Sequence, residues 1–320
     1  TSCVAAALLL LLAGLSVPVI LETLRGAQGY VFETDDSTTL LAQTICLAGD
    51  TGKRSLKQEQ LSQQMVRAGC TEIRLLGDLI YPDGLTGPGD PQYAEKFATP
   101  FHSSIDAGLP FYVLLGNHDY NNDAPEAWLE IGQREPWLNH PAHYYAERRS
   151  GLCIVSLDST TYEKLYRVPD RVAQSLWLDG VRNEHQPFCD FSLLLAHHPY
   201  DSPGRHGEAL PQLKLFYDRE FIGHFDLLVS GHDHILADVG QHQGTHQFIS
   251  GAGSKVDRLE PDSPDVPYAQ AEIGFIALSF QSEGTALIAN ARFIVLSGSR
   301  MEERWHRRIV GKGWRGESPQ

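Results

Sequence analysis

Five short apolar runs in this chain end alike. Leu47-Ala48 leads into Gly49-Asp50, Leu75-Leu76 into Gly77-Asp78, Leu114-Leu115 into Gly116-Asn117-His118, Leu195-Ala196 into His197, and Val229-Ser230 into Gly231-His232. A brief apolar run bounded by a turn residue reads as a buried strand. Each run delivers an Asp, Asn or His at its carboxyl end. Four of the five place a glycine just before it, where the backbone must turn sharply or approach a neighbour closely. In open α/β sheets ligands bind beyond the carboxyl ends of strands. The pattern therefore calls for a sheet edge where polar donors converge.

Strands are expected at 44–48, 72–76, 111–115, 152–157, 191–196 and 226–230, with helical patterns between them. Residues 55–68 carry Leu61, Met65 and Ala68 on one face and no Gly or Pro. Tyr93, Phe97, Phe101 and Ile105 recur every four residues, and Pro100 must kink or restart that helix. Val172, Leu176 and Trp177 mark a further amphipathic helix. Later runs at 248–250, 275–280, 286–288 and 293–296 read as strands joined by turns or loops. Alternating units followed by a strand-rich end predict an α/β domain over 42–298, with two packed mixed β-sheets flanked by helices.

The 320 residues are 42% hydrophobic and 21% charged, enough to bury a large core. A net charge of −14 excludes a basic nucleic-acid-binding or anionic-membrane-binding surface, and at first sight argues against phosphate as well. Residues 4–21 form an uncharged run, so segment 1–29 reads as a signal peptide or an N-terminal membrane anchor, and the protein as exported. No Asn-x-Ser/Thr acceptor occurs, which points to a bacterial rather than a eukaryotic source. Cys46, Cys70 and Cys153 lie in or beside apolar strand-like runs and Cys189 precedes another, where thiols behave as small hydrophobes; nothing in their spacing indicates disulfides. Segment 299–320 is rich in arginine and reads as a solvated basic tail. Nothing in the sequence sets an oligomeric state.

Singly, a Gly-Asp after a strand is a turn. Together, Asp50, Asp78, Asn117, His197, His232 and His234 form a set of oxygen and imidazole donors at converging strand ends. Such donors suit Fe, Mn or Zn. Six exceed what one tetrahedral ion needs, so the set points to two ions, with one carboxylate bridging them.

Five blocks, Gly49-Asp50-Thr51-Gly52, Gly77-Asp78-Leu79-Ile80-Tyr81, Gly116-Asn117-His118-Asp119, Leu194-Leu195-Ala196-His197 and Gly231-His232-Asp233-His234, strongly resemble those of the calcineurin-like metallophosphoesterases. With Tyr81 in the second block, the resemblance is to the purple acid phosphatases, in their small single-domain form. Leu194 stands where the family has Val. The resemblance spans Cys46 to the final strands, and is absent from the leader and the basic tail.

The resemblance implies the four-layer sandwich of that family. It further implies Asp50, Asp78, Tyr81 and His234 around Fe(III), and Asp78, Asn117, His197 and His232 around a divalent Fe, Zn or Mn. It places His118 and His206 over the substrate as catalytic groups, and leaves His198 a structural or supporting role. The implied activity is hydrolysis of a small phosphate monoester at acid pH, by direct attack of a metal-bound hydroxide. Alternatives on the same scaffold are a hydrolase of phosphodiesters or nucleotide derivatives, a non-catalytic metal-binding module, and a membrane-tethered structural protein. The acidic surface and a phosphate substrate are compatible if the positive field is imported as metal.

Overall fold

Strands flanked by apolar layers on both faces lack the polar alternation of a half-exposed sheet. Here Ile45 and Leu47 point one way into a core with Ile154, Leu193, Val229 and Leu278. Their neighbours Cys46 and Ala48 point the other way, among Leu61, Met65, Phe97 and Trp128. The computed structural model describes residues 30–34, 40–164, 167–261, 265–298 and 300–315. Segment 1–29, expected to be a signal peptide or an anchor, lies outside them, and among the described residues no helix is long and apolar enough to cross a membrane.

The strands in chain order are β1 Tyr30–Thr34, β2 Thr44–Ala48, β3 Glu72–Leu76, β4 Phe111–Leu114, β5 Leu138–Asn139, β6 Tyr145–Arg149, β7 Leu152–Ser156 and β8 Phe191–Ala196. They continue as β9 Leu227–Ser230, β10 Leu236–His242, β11 Thr245–Ser250, β12 Tyr268–Gln270, β13 Gly274–Glu283, β14 Ala286–Ser297 and β15 Arg300–Val310. One mixed sheet has eight strands in the order β1-β6-β7-β8-β9-β11-β10-β12, the other seven in the order β15-β14-β13-β2-β3-β4-β5. The expectation of two packed mixed sheets holds.

Helix α1, Leu56–Arg67, is capped by the Ser55 side chain on the Gln58 amide. It covers the outer face of the seven-stranded sheet through Leu61 and Met65. The aromatic repeat at 93–105 breaks where Pro100 requires: a π-helical turn at Ala94–Ala98 gives way to α2, His102–Asp106. Helix α3, Glu126–Arg134, adds Trp128 and Ile131 to the same layer. Helices α4, Val168–His185, and α5, Pro211–Glu220, cover the outer face of the eight-stranded sheet with Leu178, Val181, Leu213 and Phe216. Helix, sheet, sheet and helix give four layers.

Three expectations are corrected. The runs at 286–288 and 293–296 belong to one twelve-residue strand, β14, with a register shift between Phe293 and Ile294 on its β15 side. The domain does not stop at 298. Segment 299–320 contains β15, which pairs with β14 along its length, so 300–310 is sheet and not solvated tail. The arginines that made it look like a tail have partners: Arg307 Nε lies 2.7 Å from the buried Asp238 carboxylate of the other sheet, and Arg315 Nη1 2.8 Å from Asp226. Finally, all four cysteines among the described residues are paired, as Cys46–Cys70 and Cys153–Cys189. Spacing alone hid these bridges, because each joins residues brought together only by the layers.

Candidate metal centre

Strands β2, β3 and β4 run parallel in one sheet, and β8, β9 and β11 run parallel in the other. Their carboxyl ends meet at one edge, where backbone bonds stitch the sheets together. Gly49 N donates to Ser250 O at 2.6 Å and Gly253 N to Gly49 O at 3.1 Å, while Asp50 N donates to Gly77 O at 2.9 Å within the seven-stranded sheet. This approach leaves no room for side chains at the motif glycines. Gly77 has φ +84°, and a Cβ there would sit 2.6 Å from both Gly116 N and His197 Nδ1. At Gly116 a Cβ would fall 2.2 Å from Asp78 Oδ1. Three donors hold left-handed backbone themselves, Asp50 at φ 59°, Asp78 at 54° and His232 at 68°. Each such residue costs about 1–3 kcal/mol, a strain that clusters at functional sites.

The donor atoms gather in two groups. In the first, Tyr81 Oη donates to Asp50 Oδ1 at 2.8 Å and lies 3.2 Å from His234 Nε2, which is 3.4 Å from Asp50 Oδ1. In the second, His197 Nε2 is 3.0 Å from Asn117 Oδ1, 3.3 Å from His232 Nδ1 and 3.4 Å from Asp78 Oδ1. Donors around an ion with bonds of ~2.1 Å lie ~3 Å apart, so both groups have the spacing of a coordination shell. Asp50, Asp78 and His197 also form a cluster able to hold an ion, with ligand atoms within 4.8 Å of one another. Asp78 belongs to both sides, since its carboxylate acts on Tyr81 and on His197.

The electrostatics fit a cation. Asp50 and Asp78 are almost fully buried, and a buried carboxylate demands a positive partner. Burial alone would raise Asp50, but the His234 hydrogen bond and the charges of His197 and His234 outweigh it and hold its carboxyl low. Burial, then the charges of Asp50 and Asp78, push the Tyr81 phenol far up, so without a cation it keeps its proton. His197 is raised because Asp78 and Asp50 overcome its burial. His232 is driven well down by burial and by the surrounding imidazoles of His198, His197, His206 and His234, which favours the neutral form a metal needs.

All seven expected ligands meet here. His118 packs its ring 4.6 Å from Tyr81, and its Nδ1 donates to Pro82 O. The exposed His206 ring lies 4.3 Å from that of His232, and its backbone amide donates to Asp233 at 2.9 Å. His198 is buried, its ring 4.5 Å from His232, with Ser159 Oγ 2.8 Å from Nδ1.

Several residues escaped the sequence reading. Asp257 Oδ2 takes His234 Nδ1 at 2.5 Å and so turns Nε2 inward. Lys255 stands with Nζ 4.0 Å over the Tyr81 ring. The buried Asp119 carboxylate accepts from the amides of Leu79 and Gly116, tying the second block to the third, and burial with the nearby Asp78 charge raises it to about 7. Ser254 Oγ donates to Asp50 O at 2.5 Å. A signal did exist for two of these, Ser254 and Lys255: β11 runs into Gly251-Ala252-Gly253-Ser254-Lys255, a sixth strand end at the same edge.

The calcineurin-like phosphoesterase family model matches residues 44–236, more than half of the chain. Purple acid phosphatase 17 of Arabidopsis thaliana is 30% identical over 245 residues, 67% of this chain and 69% of the relative. Purple acid phosphatase 3 of the same plant is 27% identical over 266 residues, 75% of this chain and 68% of the relative. Among solved structures, "GAP50 the anchor in the inner membrane complex of Plasmodium" superposes with a TM-score of 0.67 at 19% identity, covering 84% of this chain and 89% of the other. None of these three supports a bacterial source. The chain belongs to the calcineurin-like phosphoesterases and, within them, to the purple acid phosphatases.

Proposed function

We propose that this protein hydrolyses small phosphate monoesters at a two-ion centre. Asp50, Asp78, Tyr81 and His234 would hold Fe(III), and Asp78, Asn117, His197 and His232 a divalent Fe, Zn or Mn. The observation that carries this reading is the pair of donor groups at ~3 Å spacing joined through Asp78. When bound, such ions supply Lewis acidity toward the phosphoryl group and activate water.

The chain's own residues orient and move protons. Pro82 O can only accept, so His118 Nδ1 carries the hydrogen of that bond. Nε2, 3.9 Å from Asp78 Oδ2, is thereby left toward the centre, where it can exchange a proton with a phosphoryl oxygen or the leaving alcohol. His206, exposed beside His232, supplies a second imidazole at the mouth. His197 is steered by Leu76 O, 2.7 Å from Nδ1, and His234 by Asp257, so both present Nε2 to the centre. Two disulfides support an oxidising, exported location.

Asp78→Asn keeps a residue tolerant of φ 54° and is expected to lower kcat/KM on p-nitrophenyl phosphate by more than about 100-fold, with an unchanged circular dichroism spectrum. Wild-type protein should prefer monoesters to bis(p-nitrophenyl) phosphate. The reverse preference would transfer the site to diesters. The superposing neighbour is titled an anchor, so fold alone does not decide catalysis, and turnover of neither ester would favour a structural role.

A further inference from the structure

Beside the centre lies a cavity of about 210 Å³ whose near wall is His206 and His232. Glu163 and His198 also line it, and Leu210 and Leu213 give it apolar flanks. We propose that this cavity receives the alcohol half of the substrate and selects monoesters of short amino alcohols, whose ammonium group meets Glu163. The proposal rests on the phosphomonoesterase reading of the adjoining centre.

Size comes first. Clefts for drug-sized ligands run to ~300–1,000 Å³, so this smaller space suits a short alcohol rather than a nucleoside. Reach comes second. The His198 ring is 4.5 Å from that of His232, and its Nε2 is 3.1 Å from Glu163 Oε1. The carboxylate therefore stands one imidazole beyond the proposed metal ligand, in the same cavity that His232 lines.

Charge comes third. Glu208, at the rim, is already answered by Lys214 Nζ. Glu163 faces only the His198 imidazole at salt-bridge distance among the described residues. His198 is 4% exposed and its Nε2 has no hydrogen-bond partner, so the wall retains unused polar capacity. A substrate carrying an anion at one end and an ammonium at the other matches a cationic centre followed by this carboxylate.

The test compares kcat/KM of the metal-loaded protein for phosphoethanolamine, ethyl phosphate and phosphoglycolate, with p-nitrophenyl phosphate as a control. A charge-assisted contact predicts phosphoethanolamine ahead of ethyl phosphate by roughly ten- to hundredfold, with phosphoglycolate last. Glu163→Gln should bring the first ratio close to one. Should that variant fail to fold, Leu210→Trp at the exposed rim should narrow the mouth and penalise phosphoethanolamine more than methyl phosphate. Equal rates on ethyl phosphate and phosphoethanolamine, or a ratio unmoved in Glu163→Gln, would overturn the pocket while leaving the phosphatase reading intact. No turnover of any ester, p-nitrophenyl phosphate included, would overturn both.

Discussion

His234 can offer Nε2 to Asp50 and Tyr81 because Asp257 takes up its other nitrogen at 2.5 Å. A carboxylate behind a ligating imidazole fixes ring orientation and raises basicity, and its loss costs about 10–100-fold in metal affinity. Asp257→Asn should therefore lose iron on dialysis against a weak chelator under conditions where wild type retains it, and metal analysis of the dialysed protein reads this directly. His140 makes a different residue-scale prediction. It is fully buried, pairs Nδ1 with Val113 O at 2.9 Å, and is pushed down to about 3 by burial and by the neighbouring His143. The unfolded chain takes up this proton below about 6.5, whereas the folded chain resists until about 3. This contribution to stability is thus fully present above pH 6.5 and is lost as pH drops toward 3, by about 3 kcal/mol by pH 4. Denaturant midpoints measured across that window should fall less steeply in His140→Gln.

At the scale of elements, the two sheets are joined by buried ions as well as by apolar contacts. Arg74 on β3 makes a bidentate contact to Glu147 on β6, at 2.6 and 2.8 Å, and reaches Glu72 at 2.7 Å. Arg149 closes the ring onto Glu72 and Glu147. Removing one partner of a buried pair costs about 3–5 kcal/mol, because the other charge stays buried and unpaired. Arg74→Met should lose that much in urea unfolding, and adding Glu147→Met should recover a large part of it. The same cluster explains what the sequence concealed. Strand β2 was legible because apolar residues line both of its faces, but β6 reads Tyr-Ala-Glu-Arg-Arg, a charged segment whose partners lie more than seventy residues away. Strand β15 was hidden the same way: its arginines look solvated until Asp238, on the opposite sheet, is placed beneath Arg307. The site was far more legible than the edges, because each donor sits at a strand end where local pattern and function coincide. Asp257 and Glu163 lacked that signal, since they act through the side chains of His234 and His198 rather than through a strand terminus.

For the whole molecule, a surface of net −14 and a phosphate substrate are reconciled only if cations are imported at one sheet edge. The architecture prepares that edge: parallel strands from two sheets end together, close-packed glycines let them touch, and left-handed Asp50, Asp78 and His232 turn their side chains to one point. Tyr81 is the residue that makes iron the expected occupant, because its phenol surrenders its proton beside two carboxylates only to a strongly Lewis-acidic ion. Metal analysis together with a visible absorption spectrum of the purified protein tests this most directly. The account predicts two ions per chain, one of them iron, and a visible phenolate–iron band that disappears in a folded Tyr81→Phe variant. A colourless protein holding only zinc or manganese, or a band that survives Tyr81→Phe, would contradict it.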